Sequence, residues 1–219
     1  MSTYLIGILQ GSILVLEVAL GSLLVSVLLG LMGATAKLSG HKPAVWLATL
    51  YSTLIRGIPD LVLMLLIFYG GQIGLNWVLE AFGYEGYAEI NPFVAGVLTI
   101  GFIYGAYMTE TFRGAILAIP PGQMEAGRAY GMGTLQIFMR ITLPQMVRLA
   151  LPGFTNNWLV LMKATALVSL LGLQDMTYLA KQAGAAARGD IANAPLLFFA
   201  FTAFIYLMFT TVSMLLLRM

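Results

Sequence analysis

Residues Ser12–Ala34 read SILVLEVALGSLLVSVLLGLMGA, with a single ionisable group, Glu17. At 1.5 Å per residue a helix of that length reaches about 35 Å, enough to cross the roughly 30 Å hydrocarbon core of a bilayer. No water is available there to satisfy backbone N–H and C=O groups, so the stretch must be helical. Nothing in the chain shows the ten-residue alternation of a transmembrane barrel strand. Ala34-Thr35-Ala36 looks like a signal-peptide cleavage site, but no Lys or Arg precedes the stretch. It is also too long for a signal core and carries Glu17, so a retained first span is expected.

Outward from this stretch, four further segments are apolar and long enough to cross: Ala44–Tyr69, Pro92–Phe112, Gln145–Gly172 and Pro195–Leu217. Composition agrees: of 219 residues 60% are hydrophobic and 9% charged, against about 25% charged in soluble domains. Mean hydropathy is +0.91. The expectation is an all-α polytopic membrane protein, one domain over residues 1–219, with about five transmembrane helices. The absence of cysteine excludes disulfides and thiolate chemistry. A net charge of +2 gives no reason to expect nucleic acid as a partner. An odd span count argues against two equal inverted halves within one chain. No internal repeat is visible either, so a pathway would form between two such chains.

Lys and Arg concentrate in cytoplasmic loops, which orients the chain. Lys37 and Lys42 follow the first span, Arg113, Arg128, Arg140 and Arg148 follow the third, and Arg218 follows the last. The loop after the second span has Glu80, Glu85 and Glu89 and no base. The loop with Asp175, Lys181, Arg188 and Asp190 is ambiguous, and placing it outside makes the others agree. The amino terminus is then outside and the carboxyl terminus inside.

The loop between spans three and four, about residues 120–144, is long for a chain with such short connections. Pro120-Pro121-Gly122 ends the preceding helix, and Gln123–Tyr130 reads as a short helix interrupted by Gly131 and Gly133. Thr134 is a candidate N-cap for a second short helix through about Ile141, which Pro144 is expected to end.

Glu125-Ala126-Gly127, Gly131, Ile141 and Leu143-Pro144 resemble, in identity and spacing, the "EAA" loop of permease subunits in ATP-binding-cassette importers. The family pattern has Ala in place of Gly127. The resemblance covers essentially the whole chain. Arg56-Gly57-Ile58-Pro59, the run from Gly105 to Gly114, and Asn156-Asn157-Trp158 through Lys163-Ala164-Thr165-Ala166-Leu167 look like polar amino acid permeases. Pro59–Gly70 and Ala164–Leu173 are most similar to Q-type permeases of importers for histidine, lysine, arginine and ornithine.

The resemblance implies a type I importer permease fold in the bacterial inner membrane, amid membrane lipid. It implies that Glu125, Ala126, Gly127, Gly131, Ile141, Leu143 and Pro144 couple the chain to an ATPase. The implied partners are a second homologous permease subunit, two ATPase subunits that hold ATP and Mg, an extracytoplasmic solute-binding protein and an amino acid substrate. Permeases of this kind often continue as a short basic tail beyond the last span, so a segment after Arg218-Met219 is expected.

Charges inside spans cost about 2.5–3.5 kcal/mol each at the centre on insertion scales, so they are functional candidates by default. Arg56 and Asp60, at i and i+4, could neutralise one another, although Pro59 distorts the turn between them. Alternatively the Pro-broken helix exposes polar groups at mid-depth, where Asp60 meets the cationic side chain of a basic amino acid. The resemblance favours the second reading, because relatives for other substrates place an apolar residue there. Lys163 could bind the substrate carboxylate or pair with a carboxylate of the neighbouring subunit. Glu17, about one turn into the first span, could snorkel, contact a partner chain or touch substrate. Glu110 is placed for a local ion pair with Arg113. Of Asn156 and Asn157 only one can face a given direction; Asn157 is the candidate for substrate, and helix-to-helix bonding is the alternative. His41 reads as solvent-exposed, and a lone His makes no metal site.

No lysine follows a glycine, so the phosphate-cradling Gly-Lys-Ser/Thr of an ATPase is absent, as are HExxH and GxSxG. The chain is therefore expected to be no enzyme and to hold no cofactor of its own. The rival classes are an ion-coupled secondary amino acid transporter, working through Glu17, Asp60 or Glu110, and a channel or purely structural subunit.

Overall fold

The computed structural model describes residues 2–84, 86–189 and 193–217; three charges used to orient the chain, Glu85, Asp190 and Arg218, lie outside these. The described chain is helical: α1 Ser2–Leu38, α2 Lys42–Gly57, α3 Asp60–Ala81, α4 Pro92–Leu117, α5 Pro121–Ala129, α6 Thr134–Ile137, α7 Leu143–Ala164, α8 Met176–Ala186 and α9 Ala194–Leu217. Five runs are long and apolar enough to cross a membrane: Thr3–Leu38, Asp60–Ala81, Pro92–Leu117, Thr134–Leu171 and Ala194–Leu217.

The expected second span, Ala44–Tyr69, proves to be two helices. Pro59 has no N–H to give the preceding turn, and its ring drives the residue before it out of the α region. Ile58 accordingly sits at φ −112°, ψ 140°. α3 restarts at Asp60 and continues to Ala81, twelve residues past the expected end, and this second helix is the long apolar one.

α1 also starts earlier than its apolar stretch, at Ser2, so it runs for about 55 Å. Its seam with α4 is made by small residues. A Cβ on Gly30 would lie 2.5 Å from Met108 Cβ, on Gly33 2.2 Å from Thr109 Oγ1, and on Gly101 2.6 Å from Val25 Cβ. Gly21 meets Val97, Val25 meets Gly101, Leu29 meets Gly105 and Gly33 meets Thr109. Both numbers rise together, so the two helices run parallel, with backbones brought close where apolar solvent supplies no hydrophobic drive and packing must hold helices together. The Ser22 hydroxyl adds a bond to Val97 O at 3.2 Å.

The fourth crossing also differs from expectation. Pro144 does not end the second short helix; α6 runs on through a π-helical turn, Phe138–Thr142, into α7. Leu143 N–H donates to Phe138 O, five residues back, and this widened turn accommodates a proline that cannot donate to the carbonyl four residues before it. The run carries a second proline, Pro152, and tightens to 3₁₀ over Thr165–Leu171 before Gly172 at φ 88° turns the chain.

α8 is a helix the hydropathy pattern does not announce. Asp175 caps it, its carboxylate accepting from Tyr178 N–H at 2.9 Å. Asp175 is 1% exposed, and burial raises its pKa above the ordinary aspartate value, partly offset by the Tyr178 and Thr177 amides.

Packing is uneven. Met64, Ile100, Ile103, Leu161, Met162 and Phe198 anchor one core cluster, and Met108, Phe112, Ile119 and Met146 a second. In contrast, α3 exposes Leu66, Ile73 and Trp77, and α9 exposes Leu196, Phe204 and Leu207. Such faces belong against lipid or another chain.

Candidate functional site

The break between α2 and α3 lies against the middle of α4. Tyr104, the thirteenth of the 26 residues of α4, donates its hydroxyl to Asp60 Oδ2 at 3.0 Å. One turn further along, the Arg56 guanidinium lies 5.5 Å from the ring centre of Tyr107. The two tyrosine rings stack on each other, 5.6 Å apart. Arg56 and Asp60 form no ion pair with one another or with any other described residue. Their i, i+4 spacing would have paired them on a continuous helix, and the Pro59 break turns them onto separate aromatic partners. Tyr104 is buried, whereas Asp60 and Tyr107 are partly exposed and Arg56 is exposed. The second oxygen of Asp60 accepts no hydrogen bond from the described residues.

Neither tyrosine is among the site candidates of the sequence, although Tyr107 lies within the Gly105–Gly114 run. A signal was present: two phenolic residues at i, i+3 in the centre of a span, well away from the interfacial belts where Tyr usually collects.

A second charged cluster binds α1, α2 and α4. Glu110 pairs with Arg113 at 2.9 Å, as its spacing implied, and also with Lys37 at the end of α1. Lys37 Nζ donates to Ser52 Oγ at 2.6 Å, and Ser52 donates to Glu110 Oε1 at 3.2 Å. Lys37 is nearly buried. This node joins residues 73 positions apart, and no local pattern could announce it.

The other substrate candidates are scattered. Asn157 is buried and donates to Thr111 Oγ1 at 3.0 Å and to Met108 Sδ at 3.7 Å, so its amide bonds α7 to α4. Lys163 lies exposed in a crevice between α7 and α9 with Leu159, Tyr206 and Thr210. Glu17 is exposed and takes no ion-pair partner among the described residues. α1 begins at Ser2, so Glu17 is four turns into its helix and not one. Along the α1–α4 seam it stands four residues before Gly21, which meets Val97 near the start of α4. No hydrogen bond or ion pair connects Glu17, Lys163 or Asn157 to Asp60.

The 120–144 segment forms a helix pair. α5 ends in a Schellman motif: Met132 N–H donates to Gly127 O and Gly131 N–H to Arg128 O, with Gly131 at φ 80°. The expected N-cap Thr134 is the first helical residue, and Gly133 precedes it as the cap, with its N–H donating to Gln136 Oε1 at 3.1 Å. Gly127 is buried, and a Cβ there would lie 2.9 Å from Ile141 Cδ1 and 3.2 Å from Ile137 Cγ1. Its small size therefore seats α5 on its own chain. Glu125 and Ala126 are exposed beside it, and Tyr130 and Leu135 are 90% and 73% exposed.

Comparison with known proteins agrees with this architecture. The family model described as "Binding-protein-dependent transport system inner membrane component" matches residues 26–219. The chain is 52% identical over 206 residues to the histidine/lysine/arginine/ornithine transport system permease protein HisQ of Escherichia coli (strain K12), covering 94% of this chain and 88% of that protein. It is 38% identical to the octopine transport system permease protein OccQ of Rhizobium radiobacter, covering 94% and 84%. Among solved structures, one described as a crystal structure of an amino acid ABC transporter with histidines superposes with a TM-score of 0.77 at 31% identity, covering 100% of this chain and 96% of that one. An inward-facing MetNI methionine ABC transporter, at 16% identity and a TM-score of 0.66, shares the fold. Five apolar crossings and a family match over most of their length lead to one conclusion: this chain belongs to the inner membrane components of binding-protein-dependent transport systems.

Proposed function

We propose that the chain is the permease subunit of an ATP-binding-cassette importer for basic amino acids of the histidine, lysine, arginine and ornithine type. Asp60 is the observation that carries the substrate class. A carboxylate level with the middle of α4, at a Pro-broken helix, with one oxygen held by Tyr104 and the other open, is built to accept a cationic side chain. Relatives named for histidine, lysine, arginine, ornithine and octopine transport support the same class. Lys163, Glu17 and Asn157 are secondary candidates. Lys163 is the most open of them to a carboxylate of substrate or of a neighbouring chain, whereas the Asn157 amide is already engaged.

The exposed α5–α6 face, with Glu125, Ala126, Tyr130 and Leu135, is the surface for a separate ATPase subunit. ATP and Mg belong to that subunit, and the chain carries no Gly-Lys-Ser/Thr of its own. Gly131, Ile141, Leu143 and Pro144 shape the helix pair that transmits its motion, and the continuous run from α6 into α7 carries a displacement directly into a membrane helix. Further partners are a second homologous permease subunit and an extracytoplasmic solute-binding protein, with the amino terminus outside and the α5–α6 end in the cytoplasm.

Uptake of labelled arginine by the whole complex in liposomes tests this. Asp60→Asn should lower ATP-dependent uptake by about 10- to 100-fold, the worth of a hydrogen-bonded charge, with the complex still assembled. Unchanged uptake would remove Asp60 from the site. Uptake without ATP or an ATPase partner would favour an ion-coupled carrier instead.

A further inference from the structure

An arginine and an aspartate four residues apart should pair when nothing else is on offer, and here they do not. Arg56 lies over Tyr107, Asp60 accepts from Tyr104, and the stacked rings hold the two charges apart. Each charge keeps an open side, since Arg56 is exposed and takes no carboxylate among the described residues, and Asp60 is partly exposed with one free oxygen. An unpaired guanidinium level with the middle of a membrane-crossing helix is costly, and the face of one aromatic ring offsets only about 0.5–2 kcal/mol of that. The cost persists only if something anionic completes the guanidinium.

We infer that Arg56 is the group that receives the α-carboxylate of the amino acid, held over Tyr107 while Asp60 takes a cationic group of the same molecule. The inference rests on the reading of Asp60 as a substrate residue. Two opposite charges kept apart by a rigid aromatic spacer match a ligand that itself carries separated opposite charges. A guanidinium is suited to the anionic end: its planar fork gives two parallel N–H···O bonds to a carboxylate while its face rests on a ring. The arrangement selects amino acids over amines and over simple carboxylic acids, since either would leave one charge uncompensated.

The test uses equilibrium binding of labelled arginine to the purified complex in nanodiscs, without the solute-binding protein, with agmatine as a competitor. Agmatine keeps the guanidinium of arginine and lacks its carboxylate. The wild-type complex should prefer arginine over agmatine by about 10- to 100-fold. Arg56→Gln should weaken arginine by that factor, leave agmatine unchanged and so bring the two together. Arg56→Lys, which keeps the charge and loses the fork, should fall between. A wild-type complex that binds the two equally, or an Arg56→Gln complex that keeps the preference, overturns the assignment. So does loss of complex assembly in both Arg56 variants, which would place a partner chain's carboxylate on Arg56. Asp60→Asn separates the two readings. If it weakens both ligands while the Arg56 variants leave their ratio alone, Asp60 stands and Arg56 does not. If it changes neither while Arg56→Gln still removes the preference, the reverse holds.

Discussion

Two charged clusters lie along α4, and they are solved in opposite ways. At Glu110 the chain gathers Lys37, Ser52 and Arg113 around one carboxylate and closes the set, with Lys37 nearly buried. At the α2–α3 break an Arg and an Asp close enough in sequence to neutralise each other are kept on separate tyrosines with their outer sides open. The first arrangement is complete within one chain and reads as a strut among three helices. The second is incomplete within the described residues, and the proposed substrate role rests on that difference. Charge inside a span is therefore a poor guide to function until its partners are known.

The largest effect expected from breaking this contrast is at the closed node. Glu110→Gln leaves Lys37 and Arg113 without a carboxylate, and each charge-assisted bond lost from this partly buried node is worth about 1.5–3 kcal/mol. Thermal unfolding of the purified complex should drop sharply, and Lys37→Met on top of it should recover part of the loss by removing the stranded cation. If Glu110→Gln left stability intact and abolished transport, the node would be functional and the contrast would fail.

Tyr104→Phe is a finer probe of the open cluster. It removes the hydroxyl that orients Asp60 and leaves the ring stack, and the loss of one charge-assisted bond is worth about 1.5–3 kcal/mol. Arginine should bind about 10-fold more weakly, with little change for a neutral amino acid, and the melting temperature should fall by several degrees because the bond is part of the fold. A fall in stability without a change in arginine affinity would make Tyr104 a packing residue.

Asp175 supplies a third case, a buried carboxylate with no cation among the described residues. Burial raises its pKa, so the folded state holds its proton to higher pH than the unfolded chain does. Stability is thus greatest below the ordinary aspartate pKa, falls as pH rises through the raised folded value, and stays lower above it. Asp175→Asn keeps a good helix N-cap and removes that penalty. Melting at neutral pH should rise by about 2 °C and lose its acid dependence, the smallest of these effects. A lower melting temperature would show that the carboxylate is paired within the assembled complex.

What could be read from the sequence and what could not divides along the range of the interactions involved. Span positions followed from runs of apolar residues, because the transfer of a side chain to lipid is a local and nearly additive quantity. The errors were local too. Pro59 marks a break in the sequence without showing that it separates a more polar helix from the crossing one, and Pro144 has the pattern of a helix end although a π turn absorbs it. α8 leaves no mark in hydropathy because a short helix between two spans is too small to register.

The sequence by itself determined residence in the membrane, the count of five apolar crossings and the position of the α5–α6 segment. All of these rest on residue type and near-neighbour spacing. Only the tertiary structure decided which charges are satisfied. Lys37 reaches Glu110 because α1 and α4 run parallel on a glycine seam, and Asp60 reaches Tyr104 because the proline break sets the start of α3 against the middle of α4. A charge's role depends on the field around it, and that field is assembled from side chains distant in sequence.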